Sequence, residues 1–87
     1  MPNRKEIRFT KHSLLQCEER GTTQEEIISA IRNGNKEAAK HGKIMFVSNF
    51  AYNNLWNGNV YAIKQVAPVV ANEEKEMIVI TVYTYYF

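Results

Sequence analysis

His12, Gln16 and Arg20 recur at four-residue intervals within TKHSLLQCEER, residues 10 to 20. An imidazole exchanges a proton near neutral pH, a guanidinium grips phosphate or carboxylate with a planar fork, and a glutamine amide donates or accepts. On a helix, at roughly 100° per residue, the three spread over only about 80° and converge on one point in front of it. Such a group suits holding a phosphodiester and moving a proton on a ribose hydroxyl. The competing reading makes them the solvated side of a helix, with His12 in the first turn bonded to a neighbouring strand. In both readings Leu14 and Cys17, with Ser13 beside them, form the buried side.

The elements that must position these residues are legible in outline. EIRF, residues 6 to 9, alternates polar and apolar and predicts a first strand. Thr10 offers an N-cap to a helix that Gly21 ends in the position wanting a left-handed residue. Thr23 and Glu26 form a capping box for a second helix, Ile27, Ile28 and Ile31 give it an apolar stripe, and Asn33-Gly34 closes it. NKEAAKHGK, residues 35 to 43, reads as a last helical turn or a basic loop. KIMFVS is a strand by composition, and NNLWNGN carries an Asn-Gly turn signal. VYAIKQV is the next strand, expected to stop at Pro68, which cannot donate to a central ladder. NEEKE makes a turn, and MIVITVYTYYF ends the chain as its richest strand sequence. That strand is expected at the centre of the sheet.

The expected fold is therefore one α+β domain over residues 1–87, in the order strand, helix, helix, strand, strand, strand. A small antiparallel sheet carries both helices on one face, because each helix has a single apolar stripe to hide. In the last strand Thr81, Tyr83 and Tyr85 share one face while Val82, Thr84 and Tyr86 share the other. The alternation does not say which face meets the helices.

Composition narrows the chemistry. Eighty-seven residues allow one core, burying about 60–65 % of the unfolded chain's surface. The net charge of +2 hides an asymmetry: residues 1–48 hold nine Lys/Arg against six Glu, and residues 49–87 hold two against three. That N-terminal excess helps a surface meet phosphate but falls short of the basic stripe of a committed nucleic-acid binder. The chain contains no aspartate, which excludes an Asp dyad, an EF-hand loop and an Asp-based Mg²⁺ site. The single cysteine, Cys17, excludes an internal disulfide and fits a reducing cytosol. His12, His41 and Cys17 have no metal-ligand spacing, so neither metal nor cofactor is expected. The charged start MPNRKEIRFT lacks a signal peptide's apolar core, and no apolar run suggests a membrane span, so a cytoplasmic location is expected.

FTKHSLLQCEERGTTQEEIISAIRNG and, near the end, IVITVYT resemble the bacterial family catalogued as domain of unknown function 4258. That family reads His-Ala, an Arg four residues after the His, then Glu-Arg-Gly-Ile/Val-Ser/Thr, with a C-terminal run like viTvy. His12, Glu19, Arg20, Gly21 and Thr81 match the pattern. Gln16 stands where an arginine is usual, Ser13 replaces alanine, and Thr22 replaces an apolar residue. The element order is also similar to the RelE/ParE/BrnT-like group of small toxins. The resemblance implies a toxin-related domain, with a cognate antitoxin as a partner and either RNA or a protein as target. The ribonucleases of that group cut RNA without metal, through dispersed basic and proton-transfer side chains on the sheet.

Cleavage of RNA requires a base for the 2′-hydroxyl, cations for the phosphorane and an acid for the leaving oxygen. His12 is the expected base or acid, Arg20 the phosphate clamp, and Tyr83 the second proton relay. Gln16, Lys43, Lys64, Thr81 and Tyr85 are the expected substrate contacts, with Tyr85 also suited to stacking on a base. Aromatic residues in a terminal strand equally suit a core or an interface. His41, in KHGK, suits either a basic loop touching RNA backbone or a solvated turn. Trp56 would stack on a base or fill a hole beneath a turn. The alternative function is a non-enzymatic module, in which an exposed sheet edge and the aromatic tail YTYYF pair with another protein or with a second copy.

Overall fold

In the computed structural model residues 5–87 are described; residues 1–4, part of the charged start that argued against a signal peptide, lie outside the described residues. The chain runs β1 (Glu6–Phe9), α1 (Lys11–Arg20), α2 (Gln24–Asn33), β2 (Asn35–Ala38), a 3₁₀ turn (Lys40–Gly42), β3 (Ile44–Trp56), β4 (Asn59–Asn72) and β5 (Glu76–Tyr86). The local signals act where the sequence places them. The Thr10 hydroxyl accepts from Ser13 N–H, Gly21 takes the left-handed conformation at φ 73°, and Thr23 with Glu26 closes a reciprocal capping box. Asn57 and Gly58 both have positive φ, the signature of a type I′ turn, and so join β3 to β4 in a two-residue hairpin.

The sheet has five strands in the order β1-β5-β4-β3-β2 and is mixed: β1 runs parallel to β5, and the other pairs are antiparallel. This corrects the expectation of an antiparallel sheet. The crossover through α1 and α2 carries the chain from β1 to the far side of the sheet, so β1 returns beside the last strand in the same direction. Segment 35–38, expected as helix or loop, is strand β2; all four of its residues are exposed, and it is held by pairing with Ile44–Val47 rather than by burial.

Pro68 does not end its strand. β4 passes through it in the middle of the sheet, so β4 rather than β5 is the central strand. Pro68 lies opposite Val82, whose N–H and C=O point away from β4, so no donor is wanted on that side. On the other side the β3–β4 ladder has no partner pairs between Met45↔Val69 and Ser48↔Val66, the interval containing Pro68. The register is the same on both sides of that interval, so Pro68 stands opposite Phe46 with its backbone turned toward β3, and the interruption is the ladder bond that its missing N–H leaves unmade.

The helices cover one face, and Cys17, Ile27, Ala30 and Ile31 pack there on Phe46, Val66, Val70, Val79 and Val82. Val79 and Val82 are three residues apart yet face the same way. Val70 pairs with Val79 and Val69 with Thr81, so Ile80 is an extra residue, a β-bulge that reverses the alternation. Past the bulge Val82, Thr84 and Tyr86 point toward the helices, and Thr81, Tyr83 and Tyr85 point to the opposite face, which no element of the described chain covers. No helix among the described residues is long and apolar enough to cross a membrane.

Candidate functional site

α1 lies along the free side of β5, and its polar residues make the contact. Beyond Val79, where β1 ends, β5 has no strand neighbour on that side. Thr10 bonds the Val79 carbonyl through its hydroxyl, 3.1 Å. Two turns further on, Gln16 Oε1 accepts the Val82 N–H at 2.8 Å, and Arg20 Nη1 donates to the Val82 carbonyl at 2.6 Å. Two side chains thereby satisfy both outward backbone groups of Val82, as a neighbouring strand would.

This arrangement corrects the helical-wheel reading of α1. Gln16 is only 6 % exposed, whereas Leu14 is 37 % exposed, so the buried side is Ser13, Gln16 and Cys17. Gln16 and Arg20 do converge, but on a peptide group of β5. His12 is exposed in the first turn, eight residues and so about 12 Å of helix axis from Arg20. The Arg20 guanidinium also lies over the Tyr83 ring, 5.4 Å from its centroid, a cation–π contact beside the uncovered sheet face.

The end of α1 is fastened from the other side. The Arg20 carbonyl accepts from Thr84 Oγ1 at 3.0 Å and from the Tyr86 hydroxyl at 2.7 Å. The Gly21 carbonyl accepts from Lys64 Nζ at 2.9 Å, and that ammonium is paired with Glu26 at 2.7 Å and lies over the Tyr52 ring. Lys64 is 6 % exposed, so this expected substrate contact is instead a buried strut between sheet and helices. Trp56 stacks on Tyr86 at 4.8 Å, with Tyr52 and Tyr61 against the same ring. Trp56 therefore fills space under the helix junction, the second of its two expected uses. Burial, the nearby Tyr52 and the Glu26 carboxylate raise the Tyr86 pKa, against a hydrogen bond with Thr84 that lowers it; burial alone raises that of Cys17.

Of the expected site residues, Arg20 and Tyr83 are brought together, and Gln16 joins Arg20 at Val82. Tyr85 and Thr81 share the uncovered face with Tyr83, while Lys64 points to the helix face. Lys43 is half-buried at the end of the 3₁₀ turn beside His41, which is exposed with φ 60°. A groove of about 400 Å³ between α1 and the start of α2, lined by Leu14, Leu15, Glu18 and Thr23 among others, touches none of the expected site residues. Among the described residues no three His, Cys or Glu side chains lie close enough together to hold a metal ion.

The sequence leads to the expectation of an exposed sheet edge and an aromatic tail, but with the last strand expected at the sheet centre it does not place that edge on β5. Ile63 and Phe87 exchange backbone hydrogen bonds of 2.8 and 3.0 Å, so Phe87, Tyr85 and Tyr83 direct their peptide groups toward β4. Thr84 and Tyr86 must then direct theirs outward, as Val82 does, and no strand or side chain among the described residues meets them. Beside this open edge the uncovered face presents Tyr83, Tyr85 and Phe87, all exposed. The signal available in the sequence was the uncharged run from Met77 to Phe87, too long for a strand whose edges are both shielded by charge. Comparison with protein-family models, with curated proteins and with solved structures finds no match to this chain.

Proposed function

We propose that the chain is a toxin-like domain of the RelE type that acts as a protein-interaction module, with the free β5 edge and the aromatic face beside it as its working surface. The resemblance to the family of domain 4258 and the strand–helix–helix–strand order favour the toxin-related setting, a cytosolic location and an antitoxin or other protein as partner. The observation that carries the interaction reading is the juxtaposition of the open Thr84 and Tyr86 peptide groups with exposed Tyr83, Tyr85 and Phe87. Backbone groups of that kind give affinity through strand addition, and large, partly polar aromatic rings are the side chains that interfaces favour. Meanwhile Gln16 and Lys64, wanted for phosphate chemistry, are buried and bonded within the protein.

A photo-crosslinking residue in place of Tyr85, compared with one at exposed Leu15 on α1, tests this in the producing cell. A discrete protein adduct at position 85 that is absent at 15 and is lost with Tyr83→Lys supports the module. A nuclease-sensitive adduct, or none, overturns it.

One observation favours a second reading, RNA binding or metal-independent cleavage at the same end of α1. Arg20 makes one hydrogen bond among its five donors and sits half-exposed over Tyr83, while His12 is free to solvent. Single-stranded RNA incubated with the protein and with His12→Ala decides it. Cleavage that His12→Ala abolishes supports an enzyme; equal, negligible cleavage with salt-independent binding removes both RNA roles.

A further inference from the structure

Resting on the interaction reading, we infer that the occupant of the β5 edge is β5 of a second copy, paired antiparallel with Tyr85 on the two-fold axis. The geometry of the edge selects this register. Its open residues are Thr84 and Tyr86, because Glu76–Val79 are covered by β1 and Val82 is capped by Gln16 and Arg20. In an antiparallel pair, an outward-facing residue must meet another outward-facing residue, which leaves three registers to compare.

Centring on Thr84 sets Tyr86 against Val82 of the second copy, whose peptide groups α1 already occupies. Centring on Tyr86 leaves Thr84 of both copies without a partner among the described residues. Centring on Tyr85 sets Thr84 against Tyr86 of the second copy and the reverse, so every open group is used and no capped one is disturbed. Each of those two pairs exchanges two backbone hydrogen bonds.

The side chains agree with that register. On the uncovered face Tyr85 meets its own copy and Tyr83 meets Phe87, aromatic cross-strand pairs of the stabilising kind. No charged residue lies between Met77 and Phe87, so two identical edges approach without like-charge repulsion. A strand pair of this length buries less than the roughly 1,200 Å² of a standard stable complex, so the dimer is a concentration-dependent one.

Placing a cysteine on the axis tests register and partner together. Residue 85 falls in a non-hydrogen-bonded pair, with Cα atoms about 4.5 Å apart, inside the range a disulfide spans. Native Cys17 is buried and serves as the internal control. Under mild oxidant Tyr85→Cys is expected to give a covalent dimer, Tyr83→Cys to stay a single chain, and the wild type to stay reducible-band free. In sedimentation equilibrium the wild type is expected to dimerise toward high micromolar concentration, and Tyr85→Lys, which opposes two ammonium groups on an exposed face, to weaken that several-fold. Equal crosslinking from positions 83 and 85 overturns the register. A wild type that sediments as one chain throughout overturns the second copy as occupant, and a protein adduct at position 85 in the same sample would leave the module reading standing.

Discussion

Gly21 is held at φ 73°, and a Cβ there would lie 2.5 Å from Trp56 Cζ3 and 2.6 Å from the Tyr86 hydroxyl. Backbone conformation and ring packing thus demand the same residue. Gly21→Ala should lower stability by at least about 2 kcal/mol, from left-handed strain plus displacement of a stacked ring, read as a shifted urea midpoint. Lys64 and Glu26 differ in how they tolerate losing each other. The carboxylate is partly exposed and can rehydrate, whereas the ammonium is walled in and cannot. Glu26→Gln should therefore destabilise more than Lys64→Met, though by less than the roughly 3–5 kcal/mol seen when a fully buried pair is broken, because water reaches this one. A Glu26→Gln variant as stable as wild type would remove the strut from the account. Tyr86 adds a pH dependence of known sign. Burial raises its pKa above the ordinary 10.0, so the unfolded chain releases the phenol proton first on raising the pH. Its contribution is fully present below about pH 10 and is lost as pH rises toward the folded-state value. Thermal midpoints should fall above that pH, and Tyr86→Phe, though less stable at neutrality, should fall less steeply.

Helix α1 packs by polarity where α2 packs by hydrophobicity, and the difference marks how far the elements could be read in advance. Strand β1, the Thr10 and Thr23/Glu26 caps, the Gly21 stop and the Asn57-Gly58 turn all follow from local chemistry, which a sequence carries directly. The buried side of α1 does not, because a helical wheel assumes that the apolar side faces the protein. Here the surface to be covered is a strand edge with unmet peptide groups, and Gln16 matches it better than Leu14. The Ile80 bulge escapes for a related reason: one inserted residue reverses which side chains face the helices without altering composition. Pro68 misleads because β4 runs on through one lost ladder bond, held by its pairing with β5 and by the β3 pairs on either side. The candidate site was thus half legible: Arg20 with Tyr83 and Gln16 were singled out, but their shared target, the Val82 peptide, needed the register. If that capping stabilises the edge, Gln16→Met should cost about 1 kcal/mol and speed hydrogen exchange at the Val82 amide while leaving the Tyr83 amide, bonded to β4, protected. Unchanged exchange at Val82 would show the bond to be incidental.

Across the whole molecule the same device appears at both ends of the sheet. A four-residue strand covers part of each outer edge, β1 on β5 and β2 on β3. Beyond it, side chains take over. Val82 is capped by Gln16 and Arg20; on β3, Asn54 Oδ1 accepts the Leu55 N–H at 2.7 Å and the Tyr52 hydroxyl donates to the Leu55 carbonyl at 2.9 Å. A bulge at Tyr52–Asn53, with Asn53 at φ 47°, bends β3 further from a flat template. The β3 edge is thus guarded at its tip, with Asn49 and Ala51 turned outward only in the short stretch between β2 and the bulge, whereas the β5 edge is open over Thr84 and Tyr86 at its very end. That asymmetry limits assembly. One sticky edge pairing with itself closes at two copies, whereas two sticky edges allow sheet to add to sheet without end. Tyr52→Phe combined with Asn54→Ala keeps the ring against Tyr86 but uncovers both Leu55 peptide groups. In sedimentation velocity this double variant should form species larger than two chains, growing with concentration, where the wild type forms none. Adding Tyr85→Lys should then reduce those species to pairs, because only the β3 edge would remain adhesive. A double variant whose size distribution matches the wild type would mean that side-chain caps on Leu55 do not guard the edge, and that the bulge alone keeps β3 apart from other strands.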